Sequence, residues 1–129
     1  MMNGKETQIN PDTTDFHSYW NRYGGEYEVL GVEKTVYNKT HFFAGTMDQH
    51  GVRDGKTYIG DYKTGSIYKK KLERAFRQMA FYSLCDEVQA DELIVFPIST
   101  DRKPVIEKTE VWQKAVLKDL EEFKRRLGL

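Results

Sequence analysis

The sequence predicts an α/β fold built on a mixed sheet, and three observations carry that prediction. Three β-forming runs, Tyr27–Tyr37, His41–Gln49 and Lys56–Lys63, follow one another with short connections, as in an antiparallel meander. A stretch of helical period, Ser66–Glu87, comes next. It leads into the mostly apolar run Glu92–Ile98, which reads as a strand buried on both faces; after a helical crossover it should lie parallel to an earlier strand.

Each element has its own local reason. Met1 to Asp12 is polar and reads as loose. In Asp15–Tyr23 the residues Phe16, Tyr19, Trp20 and Tyr23 recur on one face of a helix that packs aromatics on the core. Thr13 or Thr14 is placed to cap it and Gly24-Gly25 to end it. His17 lies off that stripe and reads as a surface residue. Residues 1–25 thus form a tail and short aromatic helix, and residues 26–129 the main domain. In the first strand Val29, Leu30, Val32, Val36 and Tyr37 are β-formers, which Gly31 weakens. Asn38-Lys39 turns the chain.

In the central helix Leu72, Phe76, Met79 and Ser83, with Ala75 and Ala80, face the sheet, and Ser66 is the expected cap. A second row, Arg74, Gln78 and Tyr82, steps by four along one side. Pro97 puts the end of the apolar strand nearby. Asp101–Lys108 is a loop with a short edge strand at Val105-Ile106. Thr109 is the expected cap of the last helix, whose buried stripe is Trp112, Val116, Leu120, Phe123 and Leu127. Lys124, Arg125 and Arg126 suit the C-terminal end of its dipole, and Gly128 stops it.

Composition sets bounds on function. The 129 residues fit one domain. Twenty acidic and twenty basic residues balance, so binding to nucleic acid would need a local patch. The single cysteine, Cys85, excludes an internal disulfide framework and a cysteine-ligated cluster within one chain. No apolar run approaches a membrane span and the N-terminus is unlike a signal peptide, so no membrane partner and a soluble cytoplasmic protein are expected.

The stretch that points to chemistry is Gly45-Thr46-Met47-Asp48 followed by Gly60-Asp61-Tyr62-Lys63-Thr64-Gly65. Asp54-Gly55 between them suits a type I′ turn, which pairs Arg53 with Lys56. That register sets Asp48 directly opposite Asp61 on one face, with Cβ atoms roughly 4.5–5.5 Å apart. Lys63, two residues on, points the same way. Facing carboxylates are destabilising unless one is protonated or a divalent cation is shared. Oxygen ligands at this spacing suit Mg²⁺ or Mn²⁺, with waters and a phosphate completing the shell. An ammonium alongside suits the polarisation of a water or stabilisation of charge on a phosphate. The competing reading is an exposed hairpin with scattered charges.

Two further features stay open at this stage. With a two-residue turn at Asn38-Lys39, Glu33 faces Ala44 and joins the face of Asp48 as a third carboxylate. With a turn one residue longer it pairs with Gly45 and points away. Lys69, Lys70, Lys71, Arg74 and Arg77 form the one dense basic cluster, read either as a phosphate grip or as a solvated helix flank.

Asp48 in Gly45-Thr46-Met47-Asp48, the run Asp61-Tyr62-Lys63-Thr64-Gly65, and Gln78-Met79-Ala80-Phe81-Tyr82 on the following helix together resemble the PD-(D/E)XK nuclease superfamily. The last is the Q-x-x-x-Y signature of its RecB-like exonuclease group. The motifs cover Glu28–Tyr82, and the rest of the chain is similar in pattern only. The resemblance implies a restriction-endonuclease-like core: a three-strand meander, a helix, a parallel-type strand and a C-terminal helix. It implies a Mg²⁺- or Mn²⁺-dependent deoxyribonuclease, an exonuclease that leaves a 5′-phosphate, in phage or bacterial DNA processing.

Carried over residue by residue, Asp48, Asp61 and the backbone carbonyl of Tyr62 would be metal ligands, Lys63 the catalytic lysine, and Glu33 a strand-one carboxylate. Gln78 and Tyr82 would line the site and contact DNA. The group's upstream Gly-Thr-x-x-His motif has no counterpart here. That departure implies a minimal form, a fragment, or a protein partner or second subunit that completes the site. The alternative is a nuclease-fold protein that binds DNA or a partner without cutting.

Overall fold

Asp54 and Gly55 set the frame of the sheet. Both adopt left-handed backbone angles, φ 52° and 78°, as a type I′ turn requires, and Arg53 pairs with Lys56 across them. In this computed structural model, residues 11–38, 43–85, 90–98, 100 and 102–128 are described. The hairpin joins β2 (Phe43–Arg53) to β3 (Lys56–Lys63), and β1 (Tyr27–Asn38) runs antiparallel to β2. β4 (Glu92–Pro97) lies parallel to β3, and β5 (Val105–Lys108) antiparallel to β4. The result is a mixed five-stranded sheet in the order β1-β2-β3-β4-β5, with α1 (Pro11–Tyr23), α2 (Lys69–Ser83) and α3 (Thr109–Arg126).

The apolar run of β4 is buried along its whole length because both faces of the sheet are covered. On one face Val36, Met47, Ile59, Leu93 and Val95 meet Ala75, Phe76, Met79 and Ala80 of α2 and Val116 of α3. On the other, Ile94, Phe96 and Tyr58 meet the aromatic stripe of α1, with Tyr19 buried and Phe16, Trp20 and Tyr23 packed around it. Trp20, Tyr27 and Tyr58 all approach Phe96 edge to face. Each buried large side chain contributes about 1.5–3 kcal/mol of transfer energy. Among the described residues no helix is long and apolar enough to cross a membrane.

Several expected boundaries move. α1 begins at Pro11, so Thr13 and Thr14 lie inside it and neither is the cap; proline, with φ preset and no N–H to lose, suits the first turn. α2 begins at Lys69 with Tyr68 as its N-cap, and Ser66 does not cap it. Instead the Ser66 carbonyl accepts a bond from Lys71 Nζ at 3.1 Å, which holds residues 64–68 as an irregular connection. α2 stops at Ser83, short of Glu87. Thr109 is the first residue of α3 rather than its cap: its side chain is buried, and its N–H bonds the carbonyl of Asp91 at 3.2 Å. The stripe of α3 packs only as far as Leu120. Phe123 and Leu127 are 59% and 57% exposed, because α3 rests on α2 and on the four-residue β5, and this support does not extend under its last turns. The expected loose stretch before Asn10, the turn position Lys39, the strand positions His41 and Phe42, the helix end at Glu87, and Asp101 of the loop lie outside the described residues.

The register of β1 differs from both expected alternatives. Asn38 pairs with Phe43, so the connection is longer than either turn considered. Glu33 therefore comes opposite Asp48, between the pairs Val32–Gln49 and Lys34–Met47, and not opposite Ala44 or Gly45. It has φ 49° and is exposed. A non-glycine residue in the left-handed region kinks a strand locally, and this kink sits where the sheet opens.

Candidate active site

The β2–β3 ladder runs from the turn as far as Gln49–Gly60. The next positions are Asp48 and Asp61, where the strands part. Asp61 continues along β4 opposite Val95. Asp48 turns its side chain into the gap: Oδ2 accepts the backbone N–H of Tyr62 at 3.0 Å. A carboxylate thus takes the place of a ladder carbonyl. It satisfies a donor that would otherwise be unpaired at the split and holds the two acids side by side.

The carboxyl of Asp61 is pushed up to about 7 from its ordinary value of 3.8, first by burial and next by hydrogen bonding to the Asp48 carboxyl. The charge of Lys63 opposes the shift and the charge of Asp48 adds to it. Lys63 Nζ stands 3.1 Å from Asp61 Oδ2, with the two side chains 28% and 14% exposed. That oxygen is buried, and the Lys63 ammonium faces it both as a charge and as a hydrogen-bond donor that lowers the Asp61 pKa.

α2 closes the site from the helical face. Tyr82 lies within the fields of both Asp61 and Asp48, and burial raises its phenol. Gln78 Nε2 donates to Tyr82 Oη at 2.8 Å, and the backbone of Thr46 bonds the same oxygen. Gly45 is what lets the ring in, since a Cβ there would collide with the Tyr82 ring. Tyr82, the last residue of the step-by-four row predicted on α2, therefore docks against β2 through a glycine three residues before the first acid.

The opposite face holds a network that sequence reasoning missed. Gln49 is 1% exposed. Its Oε1 accepts from Tyr58 Oη at 2.7 Å and its Nε2 donates to Tyr62 Oη at 2.8 Å. The ring of Phe16 from α1 packs on Tyr62 at 5.1 Å. These bonds clamp β2 to β3 one residue before they part. A lone amide in a β run, with tyrosines on the neighbouring strand, was the available signal.

The other predicted residues disperse. Glu33 faces the Asp48 position in register, yet among the described residues no three His, Cys, Asp or Glu side chains come together. The main chain of Tyr62 borders the acid pair through its bond to Asp48. His17 is exposed against Phe16, on the helix that covers the other face of the sheet. The basic cluster splits by role. Arg77 pairs with Asp119 of α3 at 2.6 Å, Lys71 fastens residues 64–66, Arg74 donates to Tyr68 Oη at 3.3 Å, and Lys69 and Lys70 are exposed.

A hollow of about 530 Å³ opens at the other end of β3 and β4, between Lys56, Glu92, Lys108 and Gln113. Its lining mixes the carboxylates Asp91, Glu92 and Glu110 with Lys56 and Lys108, and Glu92 is further held by Arg53 at 3.1 Å. In comparison with known proteins, the chain matches no protein-family model and no curated protein.

Proposed function

We propose that this chain is a divalent-metal-dependent deoxyribonuclease with a restriction-endonuclease-like core, acting on DNA phosphodiester bonds as an exonuclease. The observation that carries the reading is the convergence of Asp48, Asp61 and Lys63 where β2 and β3 separate, with the Asp61 carboxyl buried and Lys63 Nζ 3.1 Å from its Oδ2. Two adjacent carboxyls, one of them buried and its acidity weakened by burial and by the other, fit a hard ion that takes one or two protein carboxylates and keeps waters for the rest. The motif resemblance supports the same reading, with Tyr82 in the fields of both acids and Gln78 bonded to its hydroxyl.

When bound, Mg²⁺ or Mn²⁺ supplies positive charge that offsets the phosphate and acidifies a water. The residues do the rest. Asp48 and Asp61 would hold the ion and, once deprotonated, present their oxygens from neighbouring strands. The Lys63 ammonium would orient the attacking water and stabilise charge developing on the phosphate. The Tyr82 hydroxyl, fixed by Gln78 and Thr46, would contact the strand beside the scissile phosphate. Tyr62, clamped by Gln49, keeps the two strands from closing the gap.

The test is cleavage of end-labelled single- and double-stranded DNA across a titration of Mn²⁺ and Mg²⁺. Asp61→Ala and Lys63→Ala should each lose at least about a hundredfold in rate. Equal rates in parent and variants would refute the assignment. Binding to DNA that survives EDTA, with no cleavage under any divalent metal, would instead identify a protein that binds without cutting.

A further inference from the structure

The residues between Lys63 and α2 form an irregular connection held by three cations, two from the start of α2 and one from the segment before β5. Lys71 Nζ donates to the carbonyls of Thr64 and Ser66. Arg102 Nη1 donates to the carbonyl of Ile67 at 3.4 Å. Arg74 Nη2 donates to the hydroxyl of Tyr68 at 3.3 Å. Every one of these partners is a neutral oxygen. Among the described residues, none of the three cations lies within ion-pair distance of a carboxylate, whereas Arg77 is neutralised by Asp119 and Arg53 by Glu92. Neutral oxygens orient a cation without cancelling its charge. The connection therefore keeps a net positive field although the chain as a whole is neutral.

In the middle of that field stands Tyr68, 53% exposed. Among the described residues, the other large apolar side chains left exposed lie on β1, on α3 and just past its end. Tyr68 is instead the N-cap of α2, in extended conformation, with its hydroxyl bonded to Arg74. Arg74 begins the row that continues through Gln78 to Tyr82 at the acid pair. Two four-residue steps along the helix make about 12 Å, the length of three to four nucleotides at a stacked spacing of about 3.4 Å.

We propose that Tyr68 is a stacking platform for a nucleobase of single-stranded DNA, and that Arg74 and Arg102 hold the phosphates on either side of it. This rests on the nuclease reading of the neighbouring site and names its substrate as a single strand. A base can lie on a tyrosine face only when it is out of a duplex, and stacking of this kind is indifferent to sequence. The charged side chains would track the backbone, which all strands share.

The experiment measures binding of a fluorescein-labelled oligo-dT, and of a hairpin duplex of equal charge, by anisotropy in EDTA, where nothing is cut. Tyr68→Ala should weaken oligo-dT binding by about five- to hundredfold. Tyr68→Phe, which keeps the ring and loses the hydroxyl, should stay within about twofold of the parent. The hairpin should bind the Ala variant and the parent alike. Arg74→Gln should lower the slope of log affinity against log salt by about one. Equal oligo-dT affinity in Tyr68→Ala and the parent would overturn the platform, as would a Phe variant as weak as the Ala variant. If Tyr68-dependent binding appears but the parent cuts no DNA with any divalent metal, the platform stands and the catalytic reading fails. If the parent cuts DNA and Tyr68→Ala binds and cuts like it, the catalytic reading stands and the platform fails.

Discussion

Replacing Asp61 by Asn isolates what the acid pair costs the fold. A carboxyl whose pKa is raised on folding binds its proton more tightly in the folded chain. Below about pH 4 it is protonated in both states. As pH rises, the unfolded chain releases its proton first, and the fold loses about 1.4 kcal/mol per pH unit until the folded carboxyl also ionises. From the ordinary 3.8 to about 7 this makes up to about 4 kcal/mol. Asn has the same shape and no proton to release. The Asn variant should match the parent at about pH 4 and exceed it by about 2–4 kcal/mol near pH 8.

Lys63 does not spoil the comparison, because its 28% exposure lets the ammonium stay hydrated beside a neutral amide. His50 acts in the opposite sense. Burial, then Lys34, lowers its pKa, so it removes stability as pH falls below its usual 6.5. It does so equally in both proteins, and the difference between them cancels it. Urea unfolding followed through Trp20 and Trp112 reads the effect. A gain of about 3 kcal/mol moves the midpoint by about 1–3 M. Mg²⁺ at about ten times its dissociation constant should return about 1.4 kcal/mol to the parent near pH 8, and less to the variant. Coincident midpoints near pH 8, or a less stable Asn variant there, would show that folding does not make the Asp61 carboxyl hold its proton more tightly.

Two stability predictions concern the elements that hold the acids in place. Gln49→Leu strands the hydroxyls of Tyr58 and Tyr62, and should cost about 2–4 kcal/mol in urea unfolding; a change under about 0.5 kcal/mol would mean the amide is not a clamp. Gly45→Ala drives a methyl into the Tyr82 ring and should cost about 1–3 kcal/mol, but much less in a Tyr82→Ala background, so a double-mutant cycle with no coupling would refute the contact.

What was legible in the sequence was whatever local chemistry decides. Asp54-Gly55 specifies one turn, and that turn specifies the register of β2 on β3, so the meeting of Asp48 with Asp61 followed from two residues at a distance. The unbroken apolar run of β4 required cover on both faces, and α1 supplies the second cover. The misses have a common cause. Glu33 was misplaced because the β1–β2 connection has no two-residue turn to count from. The stripe of α3 was drawn too long because periodicity reports which face is apolar, not how far the opposing layer extends. The basic cluster looked uniform because charge in a sequence has no partner attached: Arg77 is cancelled from forty-two residues away, and Lys71 is spent on a loop. Gln49 went unnoticed because its importance lies wholly in the tyrosines across the strand.

These particulars explain why the acids sit where they do. Like charges facing each other across an intact ladder would be pushed apart, and a sheet would ordinarily exclude the pair. Here the ladder ends one residue earlier. Asp48 stays only because it replaces a lost backbone acceptor for Tyr62, and Asp61 only because it can keep a proton or a counter-ion. The gap that makes the pair tolerable is also the gap through which a phosphate could reach it. Gln49 holds that gap from one face and Tyr82 from the other, so neither closing the ladder nor opening it further is free of cost. A sheet that needed only stability would place an uncharged residue at Asp61. That this one carries a buried carboxyl beside a second carboxyl is the physical reason to look for a cation there first.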